Sequence, residues 1–223
     1  MSLTHLGIIA DGNRRWAKAN GLPTIEGHKK GLDTIEVLVN AADNVGIKYL
    51  TFYVFSTENW GRSADEVGYI MKLAENRILK YAEKLAANNA RMLILGSREK
   101  IGNGLNKSLD KAEEITKDRT GITVCFCFNY GGEKEIADAA NAALASGEEI
   151  TPETIRAHLY HPEVPDIDMV VRTSGEERIS GFMLWRSSYA EFMFVKKYFP
   201  EMSEDDMREI VEEYDKRNRR FGK

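Results

Sequence analysis

The feature that most constrains this chain is an end-to-end alternation of short apolar runs with amphipathic helical stretches. Runs rich in β-branched and aromatic residues read as strands over Thr4–Ala10, Tyr49–Phe55, Arg91–Leu95, Thr120–Phe128, Met169–Arg172 and Glu191–Val195. Between them, helical spacing of apolar residues predicts helices over Arg14–Asn20, Gly31–Val45, Ala64–Asn88, Gly104–Lys117, Glu133–Ala145, Pro152–Tyr160 and Ser203–Arg217. This order implies an α/β fold with a central, mostly parallel β-sheet flanked by helices on both faces. Tyr49–Phe55 and Ile122–Phe128 are nearly continuous apolar runs, as strands buried on both faces require. No repeat and no Pro/Gly/Ser-rich linker interrupts the 223 residues, so the expectation is a single domain over 1–223, with 1–3 reading as an expression leader.

Charge and cysteine content narrow the partners. With 31 Lys and Arg against 35 Asp and Glu, the net charge is −4, so a basic nucleic-acid binder is excluded and any phosphate affinity must come from a local cluster. The two cysteines, Cys125 and Cys127, share one face of one predicted strand and cannot easily bridge, which fits a reducing, cytoplasmic setting. No run approaches the ~18 apolar residues of a membrane span, and the first residues carry no basic-then-apolar signal.

In parallel sheets, ligands collect beyond the carboxyl ends of the strands. After the first strand comes Asp11-Gly12-Asn13-Arg14-Arg15-Trp16. Gly12 and Asn13 suit a tight turn whose amides open a helix and attract anions, and two guanidiniums match phosphate oxygens. An aspartate belongs in such a cradle only when a cation such as Mg²⁺ bridges it to phosphate. Gly27-His28-Lys29-Lys30-Gly31, at the start of the next predicted helix, again suits an anion. The second strand ends in Ser56-Thr57-Glu58-Asn59-Trp60-Gly61-Arg62, and a later loop gathers Arg172, Arg178 and Ser180 ahead of Tyr189-Ala190-Glu191. Each stretch taken alone also reads as an ordinary turn or a solvated face. Walker, dinucleotide-turn, zinc and nucleophile-elbow motifs are absent from the sequence. Asp205-Asp206 stands at a helix start, with Ser203 and Asp206 at capping-box spacing, where acids complement the helix dipole.

Taken together, these stretches resemble the cis-prenyltransferase family, and within it the undecaprenyl diphosphate synthase group. The matching segments are residues 5–17, 27–31, 55–62 and 172–180, together with Asn129-Tyr-Gly-Gly132, Leu184-Trp185, Tyr189-Ala-Glu191 and Arg219-Arg-Phe-Gly222. The resemblance implies a homodimeric α/β fold with an apolar tunnel. It also implies Mg²⁺-dependent condensation of isopentenyl diphosphate onto an allylic diphosphate, commonly farnesyl diphosphate. Z-polyprenyl diphosphate of undecaprenyl length or shorter would be the product, serving lipid-carrier and cell-wall synthesis. By the same resemblance, Asp11 takes the place of the metal-linked catalytic aspartate and Asn59 that of the catalytic proton acceptor. Gly12, Asn13, Arg14, Arg15 and Trp16 fall in the allylic-diphosphate cradle, with His28 beside it. Ser56, Thr57, Glu58, Trp60 and Arg62 match the loop between the substrates, and Arg172, Arg178, Ile179 and Ser180 the isopentenyl-diphosphate site. Glu191 matches a second metal carboxylate, and Arg220 and Gly222 an element reaching the neighbouring subunit. A lipid product suits a cytoplasmic enzyme working at the periphery of a membrane. The alternative is a non-catalytic partner subunit of a heteromeric enzyme. Such partners tend to lose the metal aspartate and phosphate-binding residues, whereas Asp11, Asn59, Arg172, Arg178 and Glu191 are all present here.

The chain departs from the family pattern at three places. Thr24 stands where an arginine is usual, with Arg14 a candidate to supply the missing guanidinium. Glu177 stands where a histidine is common. Val54, Phe55, Phe126, Cys127 and Phe128 are bulky for tunnel-side strand positions, which predicts a narrower channel and a product shorter than C55.

Overall fold

A computed structural model describes residues 2–217. Its six strands are β1 (His5–Ile9), β2 (Tyr49–Ser56), β3 (Arg91–Leu95), β4 (Thr123–Tyr130), β5 (Met169–Arg172) and β6 (Glu191–Phe194). They form one sheet in the order β3-β4-β2-β1-β5-β6, with every neighbouring pair parallel. The helices are α1 (Asn13–Ala19), α2 (Thr24–Asn44), α3 (Ala64–Ala87), α4 (Asn103–Thr116), α5 (Gly132–Ala145), α6 (Pro152–His158) and α7 (Glu204–Asp215), with short 3-10 helices at Thr57–Gly61 and Phe199–Glu201. Among the described residues, no helix is long and apolar enough to cross a membrane.

The two faces of the sheet are covered differently. Alternation along β4 sends Val124, Phe126 and Phe128 to one face, where α2, α3, α4 and α7 build the larger core. Cys125, Cys127 and Tyr130 point to the other face. There the direct cover is irregular chain (Val164, Ile167, Phe182 and Met183) rather than the expected helix layer, and α5 and α6 bury a small cluster of their own against Trp185. Both cysteines are buried and free. Leu3, read with the leader, is buried in the larger core. Ser203 and Asp206 form the expected capping box, and Lys197 also pairs with Asp206.

The largest difference from the expected elements is at α2, which begins at Thr24 rather than Gly31. Gly27 and Gly31 lie buried inside the helix. A Cβ on Gly27 would stand 2.1 Å from the Asn13 carbonyl oxygen, and one on Gly31 2.8 Å from Asn13 Oδ1. These glycines permit a close approach of α1 to α2; they do not mark a helix start.

His5 is fully buried on β1, with Nδ1 2.9 Å from the Pro165 carbonyl and Nε2 2.7 Å from Thr51 Oγ1. Burial pushes its imidazole down to about 4 in spite of the Pro165 hydrogen bond. Between that value and the ~6.5 of an exposed histidine, the unfolded chain takes up a proton that the folded chain refuses. The stability His5 confers is therefore complete above pH 7 and falls away as the pH drops from 6.5 towards 4. Urea unfolding at pH 7.5 and 4.5 should find the native protein losing about 2–3 kcal/mol more than a His5→Gln variant. Equal losses in the two proteins would refute this.

Candidate active site

A cavity of about 650 Å³ opens at the carboxyl ends of the central strands. Its mouth is polar, lined by Asp11, Asn13, Arg14, Arg15, His28 and Arg172, while its depth is apolar, with Leu32, Ile35, Ile70, Ile78, Phe126 and Phe128. A phosphate-matching rim beside apolar lining suits a ligand with an anionic head and an apolar tail, and Glu36 of α2 with Arg77, Lys80 and Lys84 of α3 also borders the cavity.

Asp11 follows β1 directly. Its Oδ2 lies 2.9 Å from Arg172 Nη2 and its Oδ1 3.3 Å from Arg15 Nη2. Partial burial raises its proton affinity, but Arg172 and then Arg15 outweigh that, holding the carboxyl below the usual carboxylate range. The Asp11 backbone is gripped as well, since its carbonyl accepts from Thr173 Oγ1 at 2.6 Å. Gly12 turns the chain with φ +105° into α1, and a Cβ there would come within 2.8 Å of the Tyr198 ring, so glycine is required on both counts.

Arg172 ends β5, is 4% exposed, and donates through Nη1 to Ser180 Oγ at 2.9 Å and to the Arg178 carbonyl at 2.5 Å. Its buried Nε has no partner. Arg178 is exposed and pairs with Glu176, whose other oxygen takes Arg15 at 2.8 Å. Glu176 thus spans the two arginines expected to hold separate diphosphates. A second such carboxylate is Glu66 on α3, which lies 3.0 Å from Arg62, 3.3 Å from His28 and 3.6 Å from Arg14. Burial pushes the His28 imidazole below its ordinary value although Glu66 opposes this. Arg14 is exposed at the cavity mouth, whereas Thr24 and Glu177 are exposed residues off the cavity lining.

The loop after β2 forms the Thr57–Gly61 helix under a capping box between Ser56 and Asn59. Ser56, Asn59 and Arg62 line the cavity, while Thr57, Glu58 and Trp60 lie off its lining, as do Trp16, Arg178 and Ile179. The expected bulk is in place at Val54, Phe55, Phe126 and Phe128. Cys127 is not part of it, because strand alternation turns it to the opposite face. Val54 and Phe55 both reach the cavity because the β2–β4 register shifts between Tyr53 and Phe55.

Glu191 does not join Asp11 within this chain. Parallel register sets Glu191 level with Met169 and Leu6, five residues before Asp11, roughly 16 Å back along the sheet at ~3.3 Å per residue. Its Oε2 pairs with Arg217 at 3.1 Å. Arg220 and Gly222 lie outside the described residues. Among the described residues, no three His, Cys, Asp or Glu side chains gather as a metal cage. That fits Mg²⁺, which commonly takes one or two carboxylates and completes its shell with substrate phosphate and water. Asp11 is ionised and stands at the mouth among phosphate-matching arginines, so its chemistry suits such an ion.

A family profile described as "Putative undecaprenyl diphosphate synthase" matches residues 9–222. The chain belongs to the cis-prenyltransferase family. An isoprenyl transferase of Rickettsia bellii is 40% identical over 223 residues, covering 100% of this chain and 99% of that one. Among solved structures, lavandulyl diphosphate synthase from Lavandula x intermedia, in complex with dimethylallyl diphosphate, superposes with a TM-score of 0.93 at 30% identity, over 99% of this chain and 98% of that one. A probable undecaprenyl diphosphate synthase from Campylobacter jejuni gives 0.87 at 30% identity over 100% of both chains. Membership makes this chain a prenyltransferase with the mostly parallel α/β fold of that family. Reasoning from residues alone passed over Glu66, Glu176 and Thr173, because an acidic or hydroxyl residue on a helix or loop carries no local sign of the cations it will meet.

Proposed function

We propose that this cis-prenyltransferase condenses isopentenyl diphosphate with an allylic diphosphate such as farnesyl diphosphate, forming a Z double bond at each step and releasing diphosphate. The observation that carries the reading is Asp11, ionised between Arg15 and Arg172 at the polar mouth of an apolar cavity. The difficult event is departure of an anion from an allylic carbon, so stabilisation of that charge does most of the work. Gly12, Asn13, Arg14 and Arg15 cradle the allylic diphosphate, with His28 beside them, its Nε2–H directed at Glu66. Arg172, Arg178 and Ser180 hold the second diphosphate. Mg²⁺ held by Asp11 would supply the charge neutralisation that lets diphosphate leave. Asn59 is a weak base, and its place here is to orient the departing proton towards a phosphate oxygen or Asp11. Co-location of Asp11, Asn59 and Arg172 at one mouth favours a catalyst over a scaffold-like partner subunit.

The product proposed is shorter than C55. Phe55, Phe126 and Phe128 crowd the apolar lining of the cavity, which leaves less width for a long chain. Incubation with labelled isopentenyl diphosphate and C10, C15 and C20 primers, read by thin-layer chromatography, tests both points. Absence of any condensation would remove the reading, and a C55 product from the unmodified enzyme would remove the short-chain proposal. Phe128→Ala, which enlarges the cavity, should shift the product to longer chains by at least one C5 unit.

A further inference from the structure

We propose that Asn129 is a positioning residue for the reaction, holding residues 56–62 in place through Trp60. The proposal rests on the reading above, in that it takes this loop to carry Asn59 and Arg62 to the substrates.

Asn129 is 3% exposed near the end of β4 and has φ +50°, a left-handed backbone that asparagine tolerates better than other non-glycine residues. Both polar atoms of its amide are bonded within the chain. Nδ2 donates to the carbonyls of Ser97 and Glu99, both at 2.8 Å, and Oδ1 accepts from Trp60 Nε1 at 2.7 Å. An indole N–H only donates and a carbonyl only accepts, so a flipped amide would satisfy none of the three. One side chain thus ties the end of β4 and the chain after β3 to the 3-10 helix that bears Asn59.

Trp60 serves as the anchor on the back of that helix. Its ring meets Phe55 edge-on at 5.5 Å and stays off the cavity lining, while Asn59 and Arg62 on either side reach the lining. A five-residue 3-10 helix has few bonds of its own to fix its pose. A displacement of ~1 Å at a reacting group can cost 10²-fold in rate, so an anchor set in rigid strand and loop backbone has a kinetic consequence.

The test pairs two variants. Asn129→Gly keeps the left-handed backbone and removes the amide, and Trp60→Phe removes the indole N–H while keeping a ring against Phe55. Each should lower kcat roughly 10–100-fold and leave KM for the allylic primer within about twofold, since the cradle residues on α1 and α2 are untouched. The double variant should be no worse than either single one, as expected of two residues acting through one bond. Hydrogen exchange of the amides in 56–62 should quicken in both variants, whatever the activity. Native exchange rates in the loop, native kcat in Trp60→Phe, or losses that multiply in the double variant would each overturn the proposal. If Asn129→Gly does not fold, Trp60→Phe carries the test alone, because it leaves the bonds to Ser97 and Glu99 intact. An unmodified protein that condenses nothing would refute the functional reading instead, with the exchange measurement still deciding whether the anchor exists.

Discussion

Replacing Asp11 by alanine is expected to cut turnover by about a thousand-fold or more, about 4 kcal/mol of lost transition-state stabilisation. The carboxylate is the acidic group at the cavity mouth that meets both Arg172 and Arg15, and those guanidiniums keep it ionised below the usual carboxylate range. Alanine would also leave the buried Arg172 short of one partner, so Asp11→Asn is the sharper variant. It retains an acceptor for Arg172 Nη2 but lacks the charge that holds a divalent cation. Asp11→Asn should melt close to the native protein and still lose nearly as much rate with labelled isopentenyl diphosphate. The same loss should follow chelation of Mg²⁺ in the unmodified enzyme. Undiminished turnover in Asp11→Asn, or in excess chelator, would disprove the assignment.

The second large effect is on stability. Arg186 and Glu135 are each 1% exposed and pair at 2.8 Å. Every polar atom of the pair is used. Arg186 also donates to the carbonyls of Val164 at 3.2 Å, Tyr160 at 2.8 Å and His161 at 3.0 Å. Glu135 accepts in addition from the Tyr160 amide at 3.1 Å and the Tyr130 hydroxyl at 2.5 Å. Arg186→Met leaves a carboxylate buried without its countercharge, which costs about 3–5 kcal/mol out of the ~5–15 that hold a domain of ordinary stability together. At ~2–4 °C per kcal/mol for a chain of this size, the melting temperature should drop by roughly 6–20 °C. Arg186→Met combined with Glu135→Leu should recover part of the drop, because a buried ion pair replaced whole costs far less than one broken. A melting temperature within about 2 °C of native for Arg186→Met would contradict this account of the sheet's second face.

The cover on that face also separates what could be read early from what could not. Period-two and 3.6-residue patterns located all six strands and seven helices to within a few residues, apart from the start of α2. There, the sequence pattern starts the helix at Gly31 and marks Gly27–Gly31 as a helix start suited to an anion. Contact with Asn13, its backbone against Gly27 and its side chain against Gly31, gives them a different purpose, and no local pattern encodes that contact. The site residues Asp11, Arg15 and Arg172 were legible in two separate stretches, Asp11–Trp16 and the later loop from Arg172. The carboxylates that organise the arginines were not, since Glu66 and Glu176 have the same local appearance as any solvated acid.

Sequence alone determined the β-α alternation, the parallel sheet, the polar turns at its carboxyl edge and the family to which the chain belongs. All of these follow from short-range periodicity and from contiguous motifs. The tertiary structure decided which of those turns share one cavity mouth. It also decided that Glu191 stands far from Asp11, that Cys127 faces away from the cavity, and that Asn129 reaches Trp60. Each of these depends on strand register and on contacts between residues distant in the chain, where a shift of one residue turns a side chain to the other face of the sheet.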